Sequence, residues 1–354
     1  QGSPDKEITF VDAIKGEIKL PENIHDIVLL KKDGIPTYHF AHAIDDHLMR
    51  TTTVVRGGEW LASAPIHYEL FHLLGFKMPA YAHTAHLMKF DEETGGKRKL
   101  SKRKDPELSL DYYRKDGYHP YTMKVYLLTL LNSNFEEWHE KFPDKDINEF
   151  PFTVEKMNQS GALFDKDKLH NICKNELSKL SEEELYDFLY DWAKENEPEN
   201  VEKWFGDREK MLQILRLYMG VGAKRRRKDL MYAKQIFELI SYFFDGESAE
   251  EMDEFKLDED MVSKILKSYL AKYDHNDDNS VWFNKLKEIA DEHGFASDMK
   301  AYKANPENFK GNVSDIAEAV RIAVTGRANT PDLWTIVHIM GEEQMKERIK
   351  KHIK

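Results

Sequence analysis

Residues 51–75 read TTTVVRGGEWLASAPIHYELFHLLG, and this stretch decides the first part of the fold. Thr51 to Arg56 is a β-branched run suited to a strand. Ser63 and Pro65 can start a helix, because proline lacks only a donor that the first turn leaves unused. Ile66, Leu70 and Leu74 then share one face, and Gly75 ends the pattern. Upstream, Asp26 to Leu30 is a second short apolar run read as a strand. Asp33-Gly34 followed by Ile35-Pro36-Thr37-Tyr38 is a turn leading into a partly apolar segment, Phe40 to Ile44. Downstream, Tyr81 to Leu87 is a further strand. Strand, turn, helix and strand at this spacing predict an α/β unit.

The pattern then changes. Asp91 to Arg103 is a charged, glycine-containing loop whose cations must stay wet or meet an anion. From Leu108 the periodicity is helical, including Tyr121 to Leu131, and Phe164 to Leu180 reads as two short helices. Glu182 to Glu195 carries Leu185, Phe188, Leu189 and Trp192 on one amphipathic face. Met211 to Met219, Asp229 to Phe243, Asp260 to Leu270, Val281 to His293 and Val313 to Thr325 continue the helical theme. Asn305, Pro306 and Gly311 mark turns, and Gly326 and Pro331 delimit the last two helices. The expected organisation is multidomain, α/β followed by all-α. Its regions are 1–104, a connecting region at 105–180, and a helical region at 181–354 with two subdomains.

At 354 residues, 41% hydrophobic and 33% charged, the chain fits a globular protein of two or three domains. No apolar run approaches the roughly 18 residues that a membrane span needs. Cys173 is the single cysteine, which excludes an intramolecular disulfide and a cysteine-based metal site and suits a reducing, cytoplasmic location. A net charge of -12 gives no uniformly positive field for nucleic acid. Local distribution differs: residues 97–104 hold six cations in eight positions, and Lys224 to Lys228 is wholly basic. Acidic stretches such as Ser181 to Leu185 and Glu247 to Asp260 offset these clusters in the total without covering them.

The strongest chemical signal is Lys99-Leu100-Ser101-Lys102-Arg103, preceded by Gly95-Gly96 and followed by Lys104. Ammonium groups in a mobile loop can surround a polyphosphate and neutralise charge as pyrophosphate leaves. A basic surface loop is the competing reading. Asp45-Asp46 resembles a metal pair, but adjacent side chains on an extended segment point apart and no third ligand accompanies them, so no metal site is expected. Trp60 suits core packing more than base stacking.

Several of these segments, taken in order, resemble the class I glutamyl-tRNA synthetases. Asp33 to Ala41, the Asp45-Asp46 pair, Val54-Val55-Arg56-Gly57 and Glu59-Trp60 resemble the second half of that family's Rossmann-like catalytic domain. Lys99 to Arg103 resembles its lysine-serine-lysine signature loop. Gly161 to Asp165 with Lys168-Leu169 resembles the helical connecting domain, and Arg321 to Gly326 with Pro331 to Gly341 the closing helices of an α-helical anticodon-binding region. Glu59-Trp60 together with Lys102 to Glu107 is most similar to bacterial members, especially a clostridial-like branch.

The resemblance implies a two-step ligation in a full-length parent. Glutamate attacks the α-phosphate of ATP, with Mg²⁺ assisting, and the glutamyl group then passes to tRNA(Glu), with tRNA(Gln) a further candidate acceptor. It implies that Tyr38, His42, Arg56 and Glu59 line the substrate site, Arg56 meeting a carboxylate two-pronged. Lys99 and Lys102 become the catalytic cations, and Lys99, Ser101, Lys102 and Arg103 the ATP contacts. Lys224, Arg225, Arg226, Arg227, Arg321 and Arg327 become tRNA-contact candidates, in a monomer.

Two departures accompany the likeness. The family's earlier histidine-glycine ATP signature and first amino-acid-binding arginine do not occur before Ile27, and Gln1-Gly2-Ser3 reads as a cleavage remnant. The expectation is an amino-terminally truncated chain that is inactive in adenylation alone. Gly58 also stands where an acidic residue is common. The alternatives are a noncatalytic tRNA-binding module and a glutaminyl-tRNA synthetase; the helical spacing beyond Ser181 argues against the second, whose anticodon-binding half is rich in β barrels.

Overall fold

The computed structural model describes residues 2–91, 93–244 and 252–354. Gln1 and the start of the Glu247 to Asp260 acidic stretch lie outside them. The contacts divide the chain into two compact units, residues 1–112 with 120–172, and residues 113–119 with 173–354.

The first unit opens on a hairpin, β1 (Glu7–Asp12) and β2 (Gly16–Pro21), whose full antiparallel register runs from Glu7↔Pro21 to Asp12↔Gly16. Helix α1 (Tyr38–Leu48), strand β3 (Thr53–Gly57), helix α2 (Ala64–Leu73) and strand β4 (Ala80–Thr84) follow. The sheet order is β2-β1-β4-β3, with β4 parallel to both β1 and β3. The β3-α2-β4 crossover contains the strand and helix expected at Thr51 to Arg56 and after Ser63, and Ala43 of α1 with Leu70 and Phe71 of α2 buries the seam between the two helices. Parallel pairing brings the carboxyl ends of β1, β3 and β4 to one edge, the usual ligand position in such sheets.

Three local expectations are corrected. Asp26 to Leu30 is not a strand: Asp33-Gly34 folds the chain back so tightly that the Lys31 amide donates to Ile35 O at 2.9 Å, leaving one bridge, Leu30↔Pro36. Gly34 sits at φ +82°, where a side chain would be strained. Phe40 to Ile44 and Asp45-Asp46 lie within α1, not on an extended segment. There Asp46 stands one turn beyond His42 and faces it. The charged loop after Asp91 is also partly ordered as a strand. β5 (Leu87–Phe90) and β6 (Lys97–Lys99) pair antiparallel, and β7 (Ala162–Leu163) adds to β5 in parallel.

Helices α3 (Leu110–Asp116), α4 (Pro120–Leu131) and α5 (Phe135–Lys141) come next. Val125, Phe135, Ile147 and Phe150 form a small core here, with the Phe135 and Phe150 rings edge to face at 5.1 Å. Tyr126 Oη donates to Asp165 O at 2.9 Å and accepts from its amide at 2.8 Å. Phe164 to Leu180 yields one helix, α6 (Lys166–Leu177), where two were expected. Leu169, Cys173 and Leu177 recur every fourth residue and are buried, so one continuous face holds the segment together.

The second unit contains α7 (Glu182–Asn196), α8 (Val201–Phe205), α9 (Arg208–Met219), α10 (Ala233–Ile240), α11 (Glu259–Lys272), α12 (Asn279–His293), α13 (Met299–Ala304), α14 (Val313–Thr325), α15 (Leu333–Met340) and α16 (Glu342–Lys350). One apolar cluster runs from Leu177 at the end of α6 to Ile349 and takes in all of these helices except α13. Local signals agree with the packing. Ser181 and Glu184 form a reciprocal capping box at the start of α7, a motif that contributes about 1 kcal/mol. Among the described residues no helix is long and apolar enough to cross a membrane.

Candidate functional site

The carboxyl ends of β1, β3 and β4 carry Asp12, Arg56 and His83. Arg56 and His83 are register partners across β3 and β4, so both project from the same edge. Arg56 Nε donates to His83 Nε2 at 3.0 Å, one terminal nitrogen reaches His67 Nδ1 at 3.0 Å, and the other reaches Trp60 O at 3.4 Å. The guanidinium also lies over the Tyr81 ring, 4.6 Å from its centre. Among the described residues no carboxylate pairs with it. Its partners are neutral, so among the described residues its full positive charge is held at the sheet edge without an anion.

This geometry fixes proton positions, because a guanidinium can only donate. His67 Nδ1 therefore accepts, and its Nε2 donates to His39 Nδ1 at 3.0 Å. His83 Nε2 accepts likewise, and its Nδ1 donates to Asp12 Oδ2 at 2.6 Å. His42 Nδ1 meets Asp46 Oδ2 at 2.5 Å and its Nε2 accepts from Tyr81 Oη at 2.7 Å. Burial lowers the pKa of all four rings, with the Arg56 charge acting in the same direction. For His67, which is fully buried, the fall is to about 2. The neutral tautomers demanded by the hydrogen bonds are thus the forms that the environment favours.

Tyr38 stands at the mouth of this cluster, 45% exposed, rather than beneath the proline turn. Its ring packs on Trp60 at 4.2 Å and parallel to His42 at 5.7 Å, forming an aromatic wall beside the cation. Glu59 does not engage Arg56; its carboxylate turns to His86 Nδ1 at 3.4 Å and is half exposed. Of the predicted residues, Tyr38, His42 and Arg56 converge. Asp12, His39, His67, Tyr81 and His83 join them unannounced by the sequence. A weak signal existed in Tyr81-Ala82-His83, whose alternation places both rings on one face of a strand.

The Lys99 to Arg103 segment lies at the end of the second sheet. Leu100 is buried and its amide donates to Leu87 O at 2.9 Å, while Lys102, Arg103 and Lys104 are exposed on a single turn. Among the described residues Lys99, Lys102, Arg103 and Lys104 form no ion pair. Arg98 is different: it grips buried Asp105 with two 2.7 Å bonds. The six-cation run therefore separates into one structural arginine and a set of outward charges.

In the second unit, a cavity of about 680 Å³ is lined by Arg216, Arg225, Arg227, Pro331, Thr335 and His338, among others. The chain after α9 folds back onto its end, with the Arg227 amide donating to Met219 O at 2.9 Å. Arg227 pairs with Asp229, and Arg216 with Glu182 and Glu209. Lys224, Arg225 and Arg226 stay exposed, and Lys228 reaches Asn175 Oδ1 at 2.7 Å. Arg321 and Arg327 are half-buried and donate to the carbonyls of Ala328 and Glu238. Pro331, Thr335 and His338, more than a hundred residues beyond the basic run, complete the cavity and carry no local sign of it.

Among the described residues no group of three or more His, Cys, Asp and Glu is arranged to hold a metal ion. Asp12 and Asp46 are committed to His83 and His42. The donor set therefore does not fit a protein-held Mg²⁺.

Residues 3–171 match the family model described as tRNA synthetases class I (E and Q), catalytic domain, and residues 198–353 match one described as an anticodon binding domain. The chain is 53% identical over 352 residues to a glutamate–tRNA ligase of Acetivibrio thermocellus, covering 99% of this chain and 64% of that protein. It is 46% identical over 357 residues to one of Clostridium perfringens strain SM101, again covering 99% and 64%. Among solved structures, a glutamate-tRNA synthetase from Elizabethkingia anophelis superposes with a TM-score of 0.69 at 25% identity, covering 99% of this chain and 66% of that one. A glutamate tRNA ligase from Elizabethkingia meningosepticum shares the fold, at 24% identity and a TM-score of 0.71, over 99% and 67%. The chain thus spans about 64% of the length of these curated relatives.

Proposed function

Because the chain belongs to the class I tRNA synthetases of the glutamate and glutamine type, we propose that the whole protein ligates glutamate to tRNA(Glu) and that this chain supplies its amino-acid pocket, signature loop and RNA-binding helices. The observation that carries the proposal is Arg56, a guanidinium at the carboxyl edge of a parallel sheet whose partners among the described residues are neutral. Such a group is suited to a substrate carboxylate, which would complete its charge through two parallel N–H···O bonds. Neutral His67 and His83 hold the fork without competing for that anion. Tyr38, with Trp60 behind it, closes one side, and His42, oriented by Asp46 and Tyr81, offers the remaining polar surface.

In the first step a glutamate carboxylate oxygen attacks the α-phosphorus of ATP, and the bond to pyrophosphate breaks. Lys99 and Lys102, helped by Ser101 and Arg103, take up the charge that gathers on the departing phosphates. In the second step a terminal ribose hydroxyl of the tRNA attacks the glutamyl carbonyl and AMP leaves. Mg²⁺ would enter with the nucleotide phosphates.

The cavity by α9 and α15 supports the RNA part of the reading. Its arginines beside proline, threonine and histidine suit unpaired bases flanked by phosphates. We assign Lys224 to Arg227 to phosphate contacts there. Arg321 and Arg327 are better placed to support helix ends.

The test is glutamate-dependent exchange of pyrophosphate into ATP, with tRNA(Glu) or tRNA(Gln) supplied. It would be run on this chain and on one extended at its amino terminus to the relatives' length. Exchange in the extended protein that is abolished by Arg56→Met supports the assignment. Exchange in neither protein points to a noncatalytic tRNA-binding homologue, and exchange insensitive to Arg56 removes it from the pocket.

A further inference from the structure

Asp105 is 2% exposed, yet it directly follows a run of exposed cations. Its two oxygens are fully engaged. Oδ1 accepts from one Arg98 nitrogen at 2.7 Å and lies 3.3 Å from Lys89 Nζ; Oδ2 accepts from the other Arg98 nitrogen at 2.7 Å and from the Ser101 amide at 2.8 Å. The main chain closes the same turn, Ser101 O accepting from the amides of Lys104 and Asp105 at 3.1 and 2.9 Å. One carboxylate thus ties β5 through Lys89, β6 through Arg98, and the turn through Ser101. Lys89 is in turn held by Glu107 at 2.7 Å.

We propose that Asp105 is the positioning residue of the phosphate-binding turn, shaping residues 101–105 so that Lys102 and its neighbours converge on one polyphosphate. Arg98 belongs to this device and not to the phosphate contacts: its fork is occupied by Asp105, and its Nε lies 3.7 Å from Asp91. Bidentate charge-assisted bonds carry geometry as well as energy, so a turn clamped in this way presents its cations with little freedom left to lose on binding. The inference rests on the reading of this turn as a phosphate site, and it deepens that reading.

Charge and position predict opposite results. Asp105→Asn removes a negative charge beside a cationic turn, which by Coulomb attraction alone should tighten binding of an anion by about twofold. If the carboxylate positions the turn, the same change weakens binding about tenfold through the lost Arg98 and Ser101 geometry. Asp105→Glu preserves the charge but displaces the carboxylate by one methylene, so it weakens binding only if position matters. The measurement is calorimetric titration of inorganic tripolyphosphate into this chain and both variants at fixed ionic strength. A parallel measurement is the rate of trypsin cleavage after Lys102 and Arg103.

Weaker binding and faster cleavage in both variants support the proposal. Tighter binding by the Asn variant with an unchanged Glu variant overturns it. Wild-type chain that does not bind tripolyphosphate refutes the phosphate reading. Cleavage then decides the turn by itself: faster cutting in both variants sustains the clamp, and unchanged cutting overturns it.

Discussion

Acidification should weaken the first unit through His67 in a way that one substitution removes. In the folded chain this ring is fully buried, accepts from Arg56 and has its pKa pushed down from 6.5 to about 2. In the unfolded chain it returns to 6.5. Between those values the unfolded state carries a proton that the folded state refuses. The stabilisation is therefore present above 6.5 and lost progressively as the pH falls toward 2. Going from a pH of about 7.5 to about 5, proton linkage puts the loss at about 2 kcal/mol from His67 alone. His39, His42 and His83 are also lowered and act in the same direction. Hydrogen exchange of the β3 and β4 amides, corrected for intrinsic rates, reads the opening of this unit separately from the helical one. Wild-type chain should lose about 2 kcal/mol more opening free energy over this range than His67→Gln. Equal losses in the two proteins would show that His67 takes up a proton in the folded state and would refute the tautomer chain built from Arg56.

Two further outcomes are expected. Gly117 sits at φ +79°, and a Cβ there would lie 2.4 Å from Ala233 Cβ and 2.8 Å from Trp192 Nε1, so Gly117→Ala should cost about 2–4 kcal/mol in thermal or urea unfolding of the second unit; an unchanged midpoint would show that this approach is not needed. Joint replacement of Arg225, Arg226 and Arg227 by alanine should weaken tRNA binding and lower the salt slope by roughly 2, and unchanged affinity at matched ionic strength would take the patch out of the interface.

Much of the secondary structure was legible because local patterns and packing agree. Val313 to Thr325 matches α14 from end to end. Its apolar spacing, an asparagine cap and the closing Gly326 act within one segment. Asp26 to Leu30 misled because among the described residues it has no partner strand beyond the single Leu30↔Pro36 bridge: Val28 and Leu30 are 64% and 53% exposed, and turn closure at Gly34 outweighs strand propensity. Asp45-Asp46 misled for a related reason, since their meaning depends on whether the backbone turns 100° or 180° per residue.

By itself the sequence determined the α/β to all-α succession and the cationic run at Lys99 to Arg103, which depend on periodicity or on residues close together in the chain. Tyr38 and Arg56 stood out only through the resemblance of their segments to a known family. Only the tertiary structure decided that Arg56 is ringed by neutral histidines, that Asp105 holds the basic turn, and that Arg225 shares a cavity with Pro331. Parallel pairing brings Asp12 beside Tyr81 and His83 across roughly seventy residues of chain. No local pattern encodes such an approach, because it follows from burying both strands in one sheet.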